Sequence, residues 1–235
     1  MTNRYLKDQL FEQVARLTKA VASPKRLELI ELLAQTPKTV EMLAAEAELS
    51  IALTSAHLKA LKAANLVSSD NEGKYRRYRL MNTQVSQLWV VLHQLATQQF
   101  PELAQKLKET VSIKSDIPDN MTLIKLSTEQ KIQLIDVRPE NEYQQAHLPT
   151  AQSMPIEQLP MRLNELDKTK PVIAYCRGPF CLYARDAVNL LTQQGFNASQ
   201  WTDGIAEYHT LPITFFSNQA ASDDNSAYLP ATVTV

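Results

Sequence analysis

The sequence predicts two domains, a mainly α-helical N-terminal domain and a C-terminal α/β domain with a parallel sheet. Residues 1–110 carry apolar side chains at helical spacing, with one short hairpin pattern among them. Residues 121–216 contain apolar runs that lead into helical patterns, as the strands of a parallel sheet do. Between these stretches, residues 111–120 mix Ser, Lys, Asp and Pro without periodicity, which is typical of a linker.

Length and composition limit the class of protein to which this chain belongs. With 235 residues, 44% of them hydrophobic, it is long enough for two cores. No apolar run approaches the ~18 residues of a membrane span and no hydrophobic signal region follows Met1, so we expect a cytoplasmic protein without membrane contact. Its two cysteines, Cys176 and Cys181, provide no disulfide framework. Residues 217–235 form a tail, either disordered or packed across a partner.

The N-terminal domain begins with three predicted helices. Apolar spacing predicts the first helix over residues 5–20. Ser23 and Pro24 are typical of the N-cap and first turn of a second helix, which runs to Gln35. Thr39 opens a short third helix that ends near Glu46.

A fourth helix and a hairpin follow. Ser50 is the predicted N-cap of the helix over residues 51–64, and this helix and the one before it are joined by a tight turn. Such a pair makes a helix-turn-helix. Strand patterns at 67–69 and 74–80 flank a turn at 70–73 that is rich in Asx and Gly, which predicts a β-hairpin. The N-terminal domain is therefore predicted to be a winged helix-turn-helix.

A long helix predicted over residues 85–107, which Pro101 should break or kink, completes this domain. Over residues 8–100 the domain resembles the ArsR family of bacterial repressors. The segments that carry the resemblance are 22–27, 55–61, 64–67 and 73–80. The resemblance implies a homodimer that binds double-stranded DNA, in which the last helix pairs with the first helix across a two-fold axis.

Positive charge is concentrated in the N-terminal domain and, within it, at the hairpin. Residues 1–110 hold 15 Lys and Arg against 11 Asp and Glu, net +4, whereas residues 111–235 hold 9 against 14, net −5. Four cations within six residues of the hairpin favour contact with a phosphate backbone. The candidate DNA-binding residues are Ser50, Thr54, Ser55, His57, Lys59, Lys74, Arg76, Arg77 and Arg79.

The helix over residues 51–64 has an unusual surface for DNA recognition. Ile51, Leu53 and Ala56 stand where the family often has polar residues. Apolar side chains can contact thymine methyl groups but not the donors and acceptors of the bases, so specificity could depend on the hairpin and on DNA shape. Alternatively, Ile51 and Leu53 pack internally and the helix is offset. For His57, a structural role is the alternative to a phosphate contact.

Many members of the ArsR family sense metals, which requires cysteines or pairs of His and carboxylate residues. This chain has no cysteine before Cys176, and His93 is the only histidine of the predicted last helix. We therefore interpret His93 as a packed or solvated imidazole, and we expect neither a metal ion nor another cofactor. Sensing must then be located in the C-terminal domain, which holds both cysteines.

The most informative segment of the C-terminal domain lies around Cys176. An apolar strand pattern ends at this cysteine, a Gly-Pro turn follows, and apolar residues at helical spacing continue to Gly195. The thiol should therefore face backbone N–H groups at a helix N-terminus, which stabilise a thiolate, and an exposed Arg177 should assist. The alternative is a buried structural cysteine at the end of a parallel strand.

Further motifs extend over residues 118–216 in the order found in the rhodanese family. They are Asp136-Val137-Arg138, Glu142-Tyr143, His147-Leu148-Pro149, the segment from Cys176 to Cys181, and Trp201 to Ile205. The C-terminal domain thus resembles a rhodanese, an α/β fold with a parallel sheet. The resemblance implies that Cys176 carries a sulfane sulfur, and the catalytic candidates are Cys176, Cys181, Arg177, Asp136 and Arg138.

Cys181 stands where rhodaneses have a basic residue that helps to hold a sulfur oxyanion. It could attack a Cys176 persulfide and leave a Cys176–Cys181 disulfide, if the geometry brings the two residues together. It could equally be a small apolar residue in the first turn of the helix. Turnover of thiosulfate is therefore not implied by this loop.

Three hypotheses follow for the whole chain. The first is a transcriptional regulator that binds DNA and senses reactive sulfur, with a small sulfur donor or a persulfide carrier as its partner. The second is a sulfurtransferase whose winged helix serves mainly for dimerisation. The third is an arsenic-linked protein that handles an oxyanion with its thiols. The four cations of the hairpin favour the first hypothesis, because a dimerisation domain does not need them.

Overall fold

The computed structural model describes residues 3–111 and 120–208. Residues 112–119 of the predicted linker and all of the predicted tail lie outside the described residues. The described chain divides into two compact units between Trp89 and Val90, inside a helix. The two units are taken in turn below.

The first unit contains the predicted helices. They are α1 (Asn3–Val21), α2 (Pro24–Gln35), α3 (Val40–Glu46), α4 (Ile51–Ala63) and the beginning of α5 (Thr83–Gln99). Thr39 caps α3 by accepting a hydrogen bond from the Met42 N–H, and Ser50 caps α4 by accepting one from the Leu53 N–H. The predicted N-cap Ser50 is thus confirmed, whereas Ser23 occupies the N-cap position of α2 without a side-chain capping hydrogen bond. Fully buried leucines from three helices form the core, namely Leu29, Leu43, Leu58 and Leu61.

A three-stranded antiparallel sheet completes the first unit. Its order is β1 (Lys38–Thr39), β3 (Tyr75–Leu80) and β2 (Val67–Glu72). We call the hairpin of β2 and β3 the wing. Its turn consists of two residues rather than the predicted four, and Gly73 lies at φ 58°, a conformation that glycine adopts without strain. Strand β1 was not predicted, because two residues are too short to show a strand pattern.

The second unit begins with the second half of α5. Helix α5 ends at Gln99, and a new helix, α6 (Pro101–Thr110), begins at Pro101. The sequence predicted this interruption, because the proline ring cannot be accommodated inside a helix. The remaining helices are α7 (Asn120–Thr128), α8 (Glu140–Gln145), α9 (Leu159–Arg162) with a 3-10 turn (Leu163–Glu165), α10 (Tyr183–Gln193) and α11 (Ile205–Tyr208). Among the described residues, no helix is long and apolar enough to cross a membrane.

The sheet of the second unit is parallel, as predicted. Its strand order is β5 (Gln152–Ser153), β4 (Gln133–Asp136), β6 (Val172–Tyr175) and β7 (Ala198–Gln200). Because side chains alternate along a strand, each face buries its own cluster. Ile135 and Ala174 belong to the cluster that includes α10, and Leu134 and Tyr175 belong to the cluster on the opposite face. The carboxyl ends of β4 and β6 therefore meet at one edge of a sheet that is covered on both sides.

Candidate DNA-binding surface and cysteine site

The first turn of α4 presents an apolar surface. Ile51 and Leu53 are 55% and 45% exposed, so the alternative in which they pack internally is wrong. Thr54 is fully buried and its hydroxyl donates a hydrogen bond to the Ser50 carbonyl, at 3.0 Å. The prediction that Thr54 contacts DNA is therefore wrong. Ile51, Leu53 and the neighbouring polar residues could contact a base here, whereas Thr54 could not.

The remaining polar candidates of α4 have different exposures. Ser50 and Lys59 are exposed, whereas Ser55 and His57 are half-buried. The Ser50 hydroxyl oxygen already accepts the capping hydrogen bond from the Leu53 N–H, so a contact with DNA would be made by the same hydroxyl group. Among the candidate DNA-binding residues of α4, Lys59 is consequently the one with a long, charged and exposed side chain.

The four wing cations fall into two pairs. Lys74 and Arg76 are exposed, close to the turn. Arg77 forms an ion pair with Glu72 of the opposite strand and donates to the Pro37 carbonyl at 3.1 Å, and Arg79 forms an ion pair with Asp70. These last two guanidiniums would have to leave or share a carboxylate in order to bind phosphate. Lys74 and Arg76 are therefore the better candidates for phosphate contacts.

The cysteine loop, residues 176–181, connects the end of β6 to α10. Cys176 and Cys181 are 1% and 9% exposed, and both are free thiols. The Cys176 thiol donates to the Cys181 carbonyl at 3.2 Å, and each thiol influences the pKa of the other. The predicted strand-to-helix elbow is thus present. Its folding brings the Cys176 sulfur against the backbone of Cys181.

Backbone N–H groups surround both sulfurs, as the elbow requires. Those of Gly178 and Ala184 act on Cys176, and those of Arg177 and Tyr183 act on Cys181. Such groups stabilise negative charge on sulfur. The arrangement can therefore hold an anionic sulfur at either position.

The two thiols differ in acidity. Burial, followed by the hydrogen bond with Cys181, raises the pKa of the Cys176 thiol well above its ordinary value. The hydrogen bond from Cys176 outweighs burial and lowers the pKa of Cys181 to about 7, with help from the backbone N–H and the charge of Arg177. The sequence predicted an ionised Cys176. Burial works against that ionisation, whereas the charge and backbone N–H of Arg177 favour a thiolate at Cys181.

Arg177 is buried rather than exposed, which corrects the sequence-based expectation. Its guanidinium is 7% exposed and binds the fully buried Glu142 carboxylate at 2.6 Å. This ion pair holds the charged guanidinium of Arg177 in place, and that charge helps to lower the pKa of Cys181. Glu142 was noticed only as part of a motif and not as a site residue, because its partner lies 35 positions along the chain.

Asp136 and Arg138 form a second buried ion pair, at the end of β4. Neither side chain is exposed, and Arg138 also donates to the Ala146 carbonyl at 2.7 Å. The guanidinium lies over the Tyr175 ring, 5.8 Å from its centre. These contacts join the ends of β4 and β6 to the segment after α8. A catalytic role for Asp136 and Arg138 stays a prediction.

The end of the described chain closes over the cysteine loop. Gly204 has no space for a side chain, because a Cβ there would overlap the Arg177 carbonyl. The Gly204 N–H donates to Glu207 at 2.8 Å, and the same carboxylate lies 3.0 Å from the Nε2 atom of the buried His93. His93 is thus a packed imidazole. Glu207 was not predicted as a site residue, because its partner His93 lies 114 positions away in the chain.

Comparison with known proteins identifies both parts of the chain. The family model described as "Bacterial regulatory protein, arsR family" matches residues 23–69, and that of the rhodanese-like domain matches residues 120–210. The HTH-type transcriptional regulator Rv0324 of Mycobacterium tuberculosis is 34% identical over 209 residues, which are 88% of this chain and 92% of that regulator. The chain belongs to the ArsR family. It is a DNA-binding transcriptional regulator with a C-terminal rhodanese-like domain.

Other relatives of this ArsR-family regulator match one domain each. A sulfurtransferase of Allochromatium vinosum is 32% identical over 92 residues, which are 38% of this chain and 84% of that protein. The homodimeric winged helix-turn-helix domain of Mb0332 from Mycobacterium bovis is 35% identical, with 42% of this chain and 89% of that domain covered and a TM-score of 0.39. The two family models that match the chain confirm the resemblances predicted from the sequence.

Proposed function

We propose that this ArsR-family regulator senses sulfane sulfur through Cys176 and Cys181 and changes its affinity for double-stranded DNA in response. The observation that carries the proposal is the burial of two free thiols in one loop, where the Cys176 sulfur lies 3.2 Å from the Cys181 carbonyl oxygen and the pKa of Cys181 is lowered to about 7. A purely structural cysteine needs neither a second thiol beside it nor a lowered pKa. The DNA-binding unit has no cysteine of its own.

The proposed chemistry begins with a low-molecular-weight persulfide or polysulfide. The Cys176 sulfur attacks the sulfane sulfur of the donor while its proton passes along the hydrogen bond to the Cys181 thiolate. The S–S bond of the donor breaks, the donor leaves as a thiolate, and Cys176 becomes a persulfide. The N–H groups of Gly178 and Ala184 support negative charge on this sulfur.

Resolution of the persulfide uses the second cysteine. After Cys181 loses its proton to solvent, its thiolate attacks the Cys176 sulfur, the bond to the outer sulfur breaks, and hydrosulfide leaves. The two thiols are thereby oxidised by two electrons to a disulfide, and the sulfane sulfur is reduced. The chain then holds a Cys176–Cys181 disulfide as the signalling state.

The test uses the full chain treated with glutathione persulfide and a duplex that the reduced chain selects from a random pool. Mass spectrometry should find a disulfide in the wild type, a persulfide on Cys176 in Cys181→Ser, and neither product on Cys181 in Cys176→Ser. DNA affinity should change on treatment of the wild type by about 5- to 150-fold, the usual range of regulatory coupling. An unchanged affinity in a chain that has formed the disulfide would sink the sensing proposal.

We also propose that the regulator works as a homodimer through α1. The exposed apolar residues of this helix recur at helical spacing and are Leu6, Leu10, Phe11, Val14 and Leu17. An apolar stripe of this kind marks an interface, and helix-turn-helix dimers bind two half-sites of DNA. Analytical ultracentrifugation should give a dimer for the wild type and a monomer for Leu10→Asp. A wild-type monomer at micromolar concentration would contradict this arrangement.

Sulfur transfer to an acceptor is the second candidate function, and the identity with the Allochromatium vinosum sulfurtransferase favours it. The same persulfide on Cys176 would then pass its outer sulfur to an external thiol instead of to Cys181. Repeated turnover of a persulfide donor with excess acceptor thiol, retained in Cys181→Ser, would support transfer. A single turnover that stops at the disulfide would support sensing.

A further inference from the structure

Helix α5 contacts the cysteine site through His93. The His93 and Glu207 side chains are only 4% and 9% exposed, and their Nε2 and Oε1 atoms are 3.0 Å apart. The His93 ring also meets the Phe180 ring, with 5.7 Å between their centres and an angle of 54°. Phe180 directly precedes Cys181. These residues all belong to the second unit, which starts at Val90 within α5.

Glu207 contacts the other side of the same loop. Its carboxylate accepts the Gly204 N–H at 2.8 Å, and a Cβ placed on Gly178 would lie 3.3 Å from Oε1. Gly204 in turn packs against the backbone of Arg177. The loop backbone between the two cysteines is therefore enclosed by side chains and backbone that leave it little room to relax.

We propose that His93 and Glu207 are positioning residues that connect the state of the cysteine loop to α5. The inference rests on the proposed sulfur sensing. A disulfide brings two sulfur atoms to ~2.05 Å, closer than a hydrogen bond between thiols allows, so Cys181 or Cys176 must move when it forms. Phe180 moves with its neighbour Cys181, and densely packed interiors pass such shifts on rather than absorb them.

The shift reaches a helix that extends beyond the second unit. α5 is continuous from Thr83 to Gln99, so its first turns belong to the first unit and its later turns hold His93. A change at His93 therefore acts on a helix whose first turns belong to the first unit. The link includes a buried ring contact and a buried polar contact, and a single substitution can remove each of them.

The experiment measures DNA affinity of the full chain before and after glutathione persulfide, with the selected duplex as probe, together with amide hydrogen exchange of residues 90–99. His93→Ala removes both contacts, and His93→Gln keeps a donor for Glu207. His147→Ala is the matched control, because His147 is a buried histidine of the same unit that stacks on Tyr143. Mass spectrometry verifies that each variant forms the disulfide to the wild-type extent.

We expect treatment to change both affinity and exchange in the wild type and in His147→Ala. In His93→Ala the affinity ratio should fall to about 1 while the reduced chain still binds DNA, and His93→Gln should recover part of the ratio. A wild-type ratio retained in His93→Ala overturns the inference and leaves the sensing proposal intact. A wild-type ratio of 1 with the disulfide formed overturns the sensing proposal itself.

Should His93→Ala fail to bind DNA or to give a cooperative unfolding transition, Phe180→Leu takes its place. This variant keeps an apolar side chain beside Cys181 and removes the ring contact with His93. We expect its affinity ratio to fall by at least half. A ratio equal to that of the wild type in Phe180→Leu counts against the inference in the same way.

Discussion

The acidity of Cys181 depends on its neighbour Cys176, and the substitution Cys176→Ala tests this dependence. The hydrogen bond from the Cys176 thiol is the largest cause of the lowered pKa of Cys181, and burial opposes it. Without the donor, only the charge of Arg177 and the N–H groups of Arg177 and Tyr183 still oppose the effect of burial. We therefore expect the pKa of Cys181 to rise from about 7 toward or above the ordinary value of 9.0.

The size of the effect follows from the two pKa values. At pH 7, a thiol of pKa about 7 is half ionised, whereas one of pKa 9.0 is ionised to about 1%. Only the thiolate reacts with an alkylating reagent. The fraction of Cys181 present as thiolate at pH 7 thus falls from about one half to about 1% in Cys176→Ala. The rate of Cys181 alkylation at pH 7 should therefore fall by roughly 50-fold.

The assay follows iodoacetamide alkylation between about pH 5.5 and 10, with peptide mass spectrometry to assign each cysteine. The wild type should show a midpoint near pH 7 at Cys181. The matched control is Cys181→Ala, in which the remaining Cys176 should react only at high pH because it is buried. A Cys181 midpoint that stays near pH 7 in Cys176→Ala would refute the assignment of the hydrogen bond as the cause.

Three further substitutions test the surroundings of the two sites. Arg177→Met removes the ion-pair partner that binds the buried Glu142 carboxylate at 2.6 Å and should lower the free energy of unfolding by ~3–5 kcal/mol in a denaturant titration. The double variant Arg177→Met with Glu142→Met should regain most of that stability. Gly204→Ala should destabilise the chain by ~1–3 kcal/mol or more and slow cysteine alkylation, since the added methyl overlaps loop backbone; a wild-type melting curve would contradict this packing. Arg76→Ala should shallow the slope of log affinity against log salt by about one unit, whereas Arg79→Ala should change it less because a carboxylate already binds that guanidinium; equal slopes for the two variants would argue against the pairing.

The local elements were predictable because their signals are local. Ser50 and Thr39 cap helices in the structure as their positions predict, and Pro101 divides the last helix of the N-terminal domain. The assignment of Thr54 to the DNA surface was wrong although the signal was present. Thr54, Leu58 and Leu61 share one helical face and are all buried. The apolar face of α4 was thus one residue wider than the hydrophobic pattern suggested.

The environment of the cysteines was not predictable in the same way. The motif places Cys176 at a strand end, but the acidity of the pair depends on how deeply each sulfur is buried and on which thiol donates. Arg177 looked exposed because a charged residue in a loop usually is. Its burial depends on Glu142, and only the fold brings the two together.

We expect the exposed side chains at the start of α4 to make the regulator responsive to methylation of the bases. Ile51 and Leu53 offer methyl groups to the solvent and no hydrogen-bonding atoms. Contact with hydrocarbon in the major groove selects the methyl group on C5 of a pyrimidine ring, which thymine carries and cytosine lacks. Cytosine that has been methylated at C5 carries the same group at the same place. At a position that Ile51 or Leu53 contacts, we therefore expect 5-methylcytosine to substitute for thymine, so that methylation of the host DNA would create binding sites where unmodified sequence has none.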